Sequence, residues 1–356
     1  MSARTTRKPQ SAPKRVTLAD IAQKSDVSLT TVSLVLRNKA GAGIPVETRQ
    51  RVLDTARDLG YRLKANGSSE PPRQTLAQIG VVLRAREDDL PLANPFYSCI
   101  LAGIEAACRQ NRLNFLSATL PVNADNYPIE LPRLLEEEHV DGLLLVGTFV
   151  DQTLDHVLGE KSVPIVLVDA YSESNAYDAV VTDNYQSAYR AVSYLIEKGH
   201  QHIGIVGSLR WAYPSIRERR RGYLDALQDH GIDTTYFADC HLIREEAVTA
   251  VNTLLHDHPQ VTALFGVNDD VAIAAMRAAQ ASGRCIPDDL SIMGFDDIEL
   301  AHLTTPALTT MQVDKVNLGR TAVQTLLNRA QSADAPRISV ALHTHLIERQ
   351  SVRNIR

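Results

Sequence analysis

The sequence predicts an α/β protein in two parts, a small three-helix head and a large body of parallel sheet covered by helices. Three observations predict it. From Gln78 onward, eight short apolar runs of β type ("QIGVVL", "LNFLSA", "GLLLVG", "IVLVD", "AVVTD", "HIGIVGS", "TALFGVND", "LSIMGFDD") alternate with helical stretches, as in βαβ units whose sheet is buried on both faces. These runs and their helices occupy roughly 270 residues, which suits two lobes better than one. Charge is also divided: residues 1–66 hold 13 Lys and Arg against 5 Asp and Glu, a net of +8, which leaves −13 on the other 290 residues of a chain whose total is −5.

A chain of 356 residues with 44% hydrophobic and 22% charged content is long enough for more than one core and is not disordered as a whole. Cys99, Cys108, Cys240 and Cys285 lie far apart, with no C-x-x-C pair; the expectation is free thiols in a reducing compartment. The opening "MSARTTRKPQSAPKR" is basic and polar with no apolar stretch after it, unlike a secretory signal. No run of 18 apolar residues occurs anywhere, so a cytoplasmic location with no membrane partner is expected.

The head is read in order. Residues 1–15 form a basic N-terminal arm, and residues 16–66 a folded unit. Thr17 followed by Asp20 resembles a helix cap with its acidic partner, and Leu18, Ile21 and Ala22 then mark one short amphipathic helix. Ser28 can cap a second helix whose apolar face is Val32, Val35 and Leu36, with Thr30, Ser33, Leu34 and Arg37 opposite. Pro45 announces a third, with Val52, Ala56 and Leu59 as its stripe and Gly60 as its stop. Helix, tight turn and helix beside a local positive charge is the arrangement that places a second helix in the DNA major groove. A plain three-helix bundle with a solvated basic surface fits periodicity and charge equally well.

Residues 67–77 are read as a linker and 78–352 as the two-lobed body. Several of its β runs end in polar residues: Asp169, Asp183-Asn184, Ser208, Asn268-Asp269 and Asp296-Asp297. Ligands of open α/β sheets bind beyond the carboxyl ends of the strands, so these residues converge on a cleft. Arg217 and Arg219 in "SIRERRRGY" could supply the complementary donors. Taken singly, each acid could equally cap a helix and each Arg could face solvent. Enzyme motifs are missing: no Walker loop, G-x-S-x-G or H-E-x-x-H is present. His256 with His258, and His343 with His345 on an expected strand, read as surface residues rather than metal ligands. No catalytic residue, metal or cofactor is expected.

Read together, "TLADIAQKSDVSLTTVSLVLRN", "VETRQRVLDTARDLGY", "NPFY", "VDGLLLVG", "VVTDN", "GHQHIGIVGS", "RRRGY" and the stretch from "FGVNDD" to "TTPALTTM" resemble the LacI/GalR family of bacterial transcriptional regulators. The resemblance runs from about Thr17 to Ser351 in the family's order. It implies an N-terminal helix-turn-helix DNA-binding domain followed by a two-lobed domain like the periplasmic binding proteins, with parallel sheets. It further implies a homodimer on double-stranded operator DNA, probing the groove with Thr17, Leu29, Thr30, Thr31, Ser33, Leu34 and Arg37. A small-molecule effector, a sugar or sugar derivative, is implied in a pocket of Phe96, Tyr97, Asp183, Arg219, Asn268 and Asp296, to which the reading of the Arg run adds Arg217, and a repressor controlled allosterically by it. The rival readings are a solute-binding module without DNA and a carbohydrate-active enzyme.

Two departures from the family stand out. Leu34 occupies a position where relatives often carry Arg, which removes a guanine contact and offers apolar surface to thymine. The linker "YRLKANGSSEPPRQTLAQIG" has Gly67, Ser68, Ser69 and Pro71-Pro72 where relatives form a hinge helix with a wedging leucine, and no leucine lies between Leu63 and Leu76. No stable hinge helix is expected there.

Overall fold

The computed structural model describes residues 17–36, 44–59, 76–86, 94–123, 127–136, 140–174 and 176–356. The expected hinge departure, Gly60 and Arg37 lie outside the described residues. The chain divides into two compact units, 1–73 and 74–356.

In the first unit, α1 (Leu18–Ser25), α2 (Leu29–Leu36) and α3 (Val46–Asp58) form the head. Thr17 and Asp20 make a reciprocal capping box: the Thr17 N–H donates to Asp20 Oδ2 at 2.7 Å, and the Asp20 N–H donates to Thr17 Oγ1 at 3.3 Å. The Thr31 N–H donates to Ser28 Oγ at 3.1 Å and so starts α2. Asp26, left-handed at φ +51°, stops α1 and turns the chain between the two helices. Ile21, Ala22, Val32, Val35, Val52 and Ala56 make one small core, with Leu18, Leu36 and Leu59 packed against it.

The second unit runs β1 (Gln78–Arg86), α4 (Pro95–Gln110), β2 (Asn114–Val122), α5 (Arg133–Glu136), β3 (Gly142–Val146), β4 (Phe149–Val150), α6 (Gln152–Gly159), β5 (Ile165–Val168), β6 (Tyr171–Ser172) and β7 (Asp178–Thr182). It continues with α7 (Asn184–Glu197), β8 (Ile203–Val206), α8 (Pro214–Asp229), β9 (Tyr236–Ala238), α9 (Arg244–Asp257), β10 (Ala263–Gly266), α10 (Asp269–Ala281), β11 (Ser291–Asp296), α11 (Glu299–Leu303) and β12 (Thr309–Gln312). It ends with α12 (Lys315–Gln331), β13 (Ser339–Leu342) and β14 (His345–Ile347).

Two six-stranded sheets result, β13-β7-β5-β3-β1-β2 in lobe 1 and β14-β12-β11-β10-β8-β9 in lobe 2. Every neighbour pair in them is parallel except β12 with β14. β3, β5, β8 and β10 are buried along their whole length, the consequence of helices on both faces and the reason these strands read as unbroken apolar runs. All eight expected runs are strands. His343 corrects one expectation: it lies between β13 and β14 rather than on a strand with His345.

The strand orders also show that the chain passes between the lobes three times, after β7, between β12 and α12, and between β13 and β14. Helix α12, though it follows a lobe 2 strand, packs on α4, β3, β5 and β7 of lobe 1. The α4–α12 contact depends on two glycines: a Cβ on Gly103 would stand 2.0 Å from the Val316 carbonyl oxygen, and one on Gly319 2.1 Å from that of Ile100.

Candidate functional site

On the head, α2 turns its buried residues Val32 and Val35 inward. Leu29, 54% exposed, and Thr30 face solvent, while Ser33 and Leu34, one turn further along the same side, are half-buried. Thr31 is half-buried and its hydroxyl lies 2.8 Å from Ser28 Oγ, within the cap. The Thr17 hydroxyl is likewise committed to its capping box, though the residue is exposed. The outward surface of α2 is therefore short, neutral and rich in hydroxyl and methyl groups.

In the body, a cavity of about 150 Å³ lies between the lobes. From lobe 1 it is lined by Arg84, by Asn94, Phe96 and Tyr97 at the start of α4, and by Asp169 just beyond β5. Lobe 2 contributes Tyr213 and Arg219 around the start of α8, and Asn268, Asp270 and Asp296 beyond β10 and β11. The strand-end residues sit where a doubly wound sheet binds ligands. Asn94 caps α4 by accepting the Phe96 N–H at 2.9 Å, which sets both aromatics at the wall with their rings edge to face at 5.3 Å. Gly147 makes room for Tyr97: its φ is +67°, and a Cβ there would meet the phenol oxygen at 2.6 Å.

Arg219 organises the lobe 2 side. It is 4% exposed, and its Nε donates to Asn184 Oδ1 at 2.8 Å while Nη1 donates to the Val267 carbonyl. Its guanidinium lies 3.7 Å from the centre of the Phe295 ring and pairs with Asp296 Oδ1 at 3.4 Å. That last contact lacks hydrogen-bond geometry, so Asp296 Oδ1 is buried without a hydrogen-bond partner, and so is Asp169 Oδ1. Burial raises both acids. The Asp169 carboxyl is pushed up to about 7, with Arg219 opposing and Asp296 adding to the effect. The Asp296 carboxyl is pushed up to about 6, with Arg219 and Lys315 opposing. Burial also holds the Tyr213 phenol well above its ordinary value, so it remains a donor.

Two expected pocket residues lie elsewhere. Arg217 is exposed; two residues along a helix turn a side chain by about 200°, so it cannot share a face with Arg219. Asp183 is absent from the cavity lining and caps α7, accepting the Gln186 N–H at 3.3 Å and pairing with His343 at 3.0 Å. The residue after it, Asn184, is the one that reaches Arg219. Conversely, Arg84, Asn94, Asp169, Tyr213 and Asp270 line the cavity without having been placed in the expected set. Asp169 carried a strand-end signal and Asn94 stands in "NPFY". Tyr213 carried none, because its position depends on how two distant segments meet. His256 and His258 are exposed beside the end of α9, and no group of three metal-binding side chains occurs among the described residues.

Residues 17–63 match the family described as bacterial regulatory proteins, lacI family, and residues 192–352 match the periplasmic binding protein-like domain. Over 344 residues the chain is 33% identical to the ribose operon repressor of Haemophilus influenzae, spanning 96% of this chain and 99% of that protein. The chain belongs to the LacI family. It is a DNA-binding transcriptional regulator rather than an enzyme, with the helix-turn-helix as its DNA-binding head. The HTH-type transcriptional repressor PurR of Photobacterium profundum is 31% identical over 342 residues, 95% of this chain and 99% of that protein.

Among solved structures, the regulator CelR in complex with cellobiose matches with a TM-score of 0.66 at 26% identity, covering 95% of this chain and all of that one. A LacI-family regulator of Enterococcus faecium with bound ribose matches with a TM-score of 0.67 at 26% identity, covering 78% and 100%. Among the described residues, no helix of this LacI-family chain is long and apolar enough to cross a membrane.

Proposed function

We propose that this LacI-family chain is a repressor that binds operator DNA as a homodimer through Leu29, Thr30, Ser33 and Leu34 of α2. Its operator affinity is set by a neutral, polyhydroxylated ligand of monosaccharide size held between the lobes by Phe96, Tyr97, Asp169, Arg219, Asn268 and Asp296. The observation that carries the ligand class is the pair of buried acids that line one cavity from opposite sides, Asp169 from lobe 1 and Asp296 from lobe 2, each with a carboxylate oxygen that has no hydrogen-bond partner within the protein. A buried acceptor left without a donor costs about 1 to 3 kcal/mol. A ligand that brings hydroxyl donors to both sides removes that cost twice and favours the arrangement in which both sides can reach it.

Size and charge narrow the class. A cavity of about 150 Å³ has room for a single six-membered ring. Its lining sets three acids (Asp169, Asp270, Asp296) beside two guanidinium groups (Arg84, Arg219) and so offers little net positive charge to a phosphate, which brings about two further negative charges. Relatives hold sugars of two sizes, ribose in one solved regulator and cellobiose in another, which supports the sugar class. A thermal-shift screen of neutral pentoses and hexoses beside their phosphates tests the reading. At a hundredfold excess over its Kd, a true ligand stabilises the folded body by about 2.7 kcal/mol. Stabilisation by anionic metabolites alone overturns the proposed ligand class.

A further inference from the structure

Two strand-end turns present carboxylates to the cavity, and both have backbone that L-residues rarely adopt. Asp169 has φ +46°, and Asp296 and Asp297 have φ +107° and +52°. Such residues persist only where their surroundings hold them. Gln312 and Arg349 hold the Asp297 carboxylate from its own lobe, at 2.8 and 2.7 Å, but in both turns the side chain that bonds the strained residues' carbonyl oxygens comes from the other lobe. Tyr213, the N-cap residue of α8 in lobe 2, points its hydroxyl at lobe 1, sharing one proton between the carbonyl oxygens of Thr148 at 2.7 Å and Asp169 at 3.2 Å. Its ring meets Tyr171 of lobe 1 edge to face at 5.4 Å. Lys315, first residue of the lobe 1 helix α12, points its ammonium at lobe 2. It donates to the carbonyl oxygens of Asp296, of Asp297 at 3.0 Å and of Val313 at 3.3 Å, three acceptors for three protons.

We infer that Tyr213 and Lys315 are reciprocal positioning residues, each making the aim of the opposite lobe's cavity carboxylate depend on how the lobes are arranged. The tie in one direction fixes Asp169 and the tie in the other fixes Asp296. Linkage is mutual: a ligand that satisfies both carboxylates stabilises this arrangement of the lobes, and a displacement of the lobes that breaks the ties weakens the ligand. The consequence for a ligand rests on the proposed function, whereas the ties themselves are testable with no ligand present.

The test is amide hydrogen exchange on the full chain without added ligand, for Tyr213→Phe, Lys315→Met and Lys315→Arg. Tyr213→Phe removes one hydroxyl and keeps the ring. It is expected to speed exchange about fivefold, the factor for losing one ordinary hydrogen bond, at the amides of residues 147–149 and 169–171 in lobe 1. Lys315→Met is expected to do the same at residues 296–298 in lobe 2, and Lys315→Arg, which keeps charge and donors, to exchange closer to the wild type. Unchanged protection in α4 and α10 shows that each variant is folded; should Lys315→Met fail that control, Lys315→Gln takes its place. Acceleration confined to the mutated residue's own lobe, or none in the opposite turn, overturns the inference. A ligand screen that finds no sugar would remove the proposed ligand class and leave this result standing.

Discussion

The head and the body use polarity in opposite ways. Among the described residues, the head buries six apolar residues fully or nearly so and leaves the outward side of α2 covered with short neutral groups. The body buries charge: Arg219, Asp169 and Asp296 are each less than a tenth exposed. A groove-reading surface must be exposed and gains its affinity from phosphate attraction spread over the whole unit, so its chemistry can be local and modest. A ligand cavity must hold charges out of water, so each needs partners, and here the partners come from strands far apart in sequence. Substitutions on α2 should therefore act on DNA alone, and substitutions in the cavity on stability and ligand together.

The largest break in that comparison comes from Arg219→Ala. It leaves Asp296 and Asn184 without their buried partner, and a broken buried ion pair costs about 3 to 5 kcal/mol. Urea unfolding followed through Trp211, the chain's single tryptophan, should show a loss of that order in the body. A loss below 1 kcal/mol would place Arg219 among solvated surface residues. Next comes Asp296→Asn, which keeps shape and removes charge. It should weaken the ligand identified by the thermal screen by about 2 to 5 kcal/mol, read by titration calorimetry, while operator affinity without ligand stays at the wild-type value.

What could be read in the sequence divides along the same line. The three head helices were legible because their caps and stripes lie within single turns: Thr17 with Asp20, Ser28 ahead of Val32 and Val35. The body's central strands were legible because burial on both faces makes them apolar throughout. The short β9 and β12 were not, and in β12 Thr309 and Thr310 are buried by their neighbours rather than by their own hydrophobicity; the strand expected at His343 and His345 divides into β13 and β14. In the cavity, Arg219 and Asp296 could be named from a strand end and a motif, but Arg217 and Asp183 could not be separated from Arg219 and Asn184 without helix phase and the path of the chain between lobes. At the end of the expected linker, Leu76 packs against the body core, which leaves it unsuited to wedge into DNA.

Two smaller effects sharpen the contrast. On the head, Thr30→Ala with Ser33→Ala should weaken operator binding by about 1 to 3 kcal/mol for each base pair whose readout is lost, with binding to random DNA and to the ligand unchanged in fluorescence anisotropy. Equal losses on operator and random DNA would show that these residues touch phosphates only. In the body, the raised carboxyls predict a pH slope. A group whose folded value lies above its unfolded one binds its proton more tightly when folded, so its contribution to stability falls as pH rises from about 4 to about 7 for Asp169 and to about 6 for Asp296. For one such group the slope is at most ~1.4 kcal/mol per pH unit. Asp169→Asn should flatten the fall of body stability across that window, and an unchanged slope would mean that Asp169 is solvated in the folded protein.

The central claim, that one cavity of the body controls the head's grip on DNA, is tested most directly by operator binding measured with and without a saturating neutral monosaccharide, in the wild type and in Asp296→Asn at fixed salt. The account predicts that the sugar changes the wild-type operator Kd by about 5- to 150-fold and leaves that of Asp296→Asn unmoved. An operator Kd that no sugar bound in the cavity shifts, or one that shifts equally in both proteins, contradicts it.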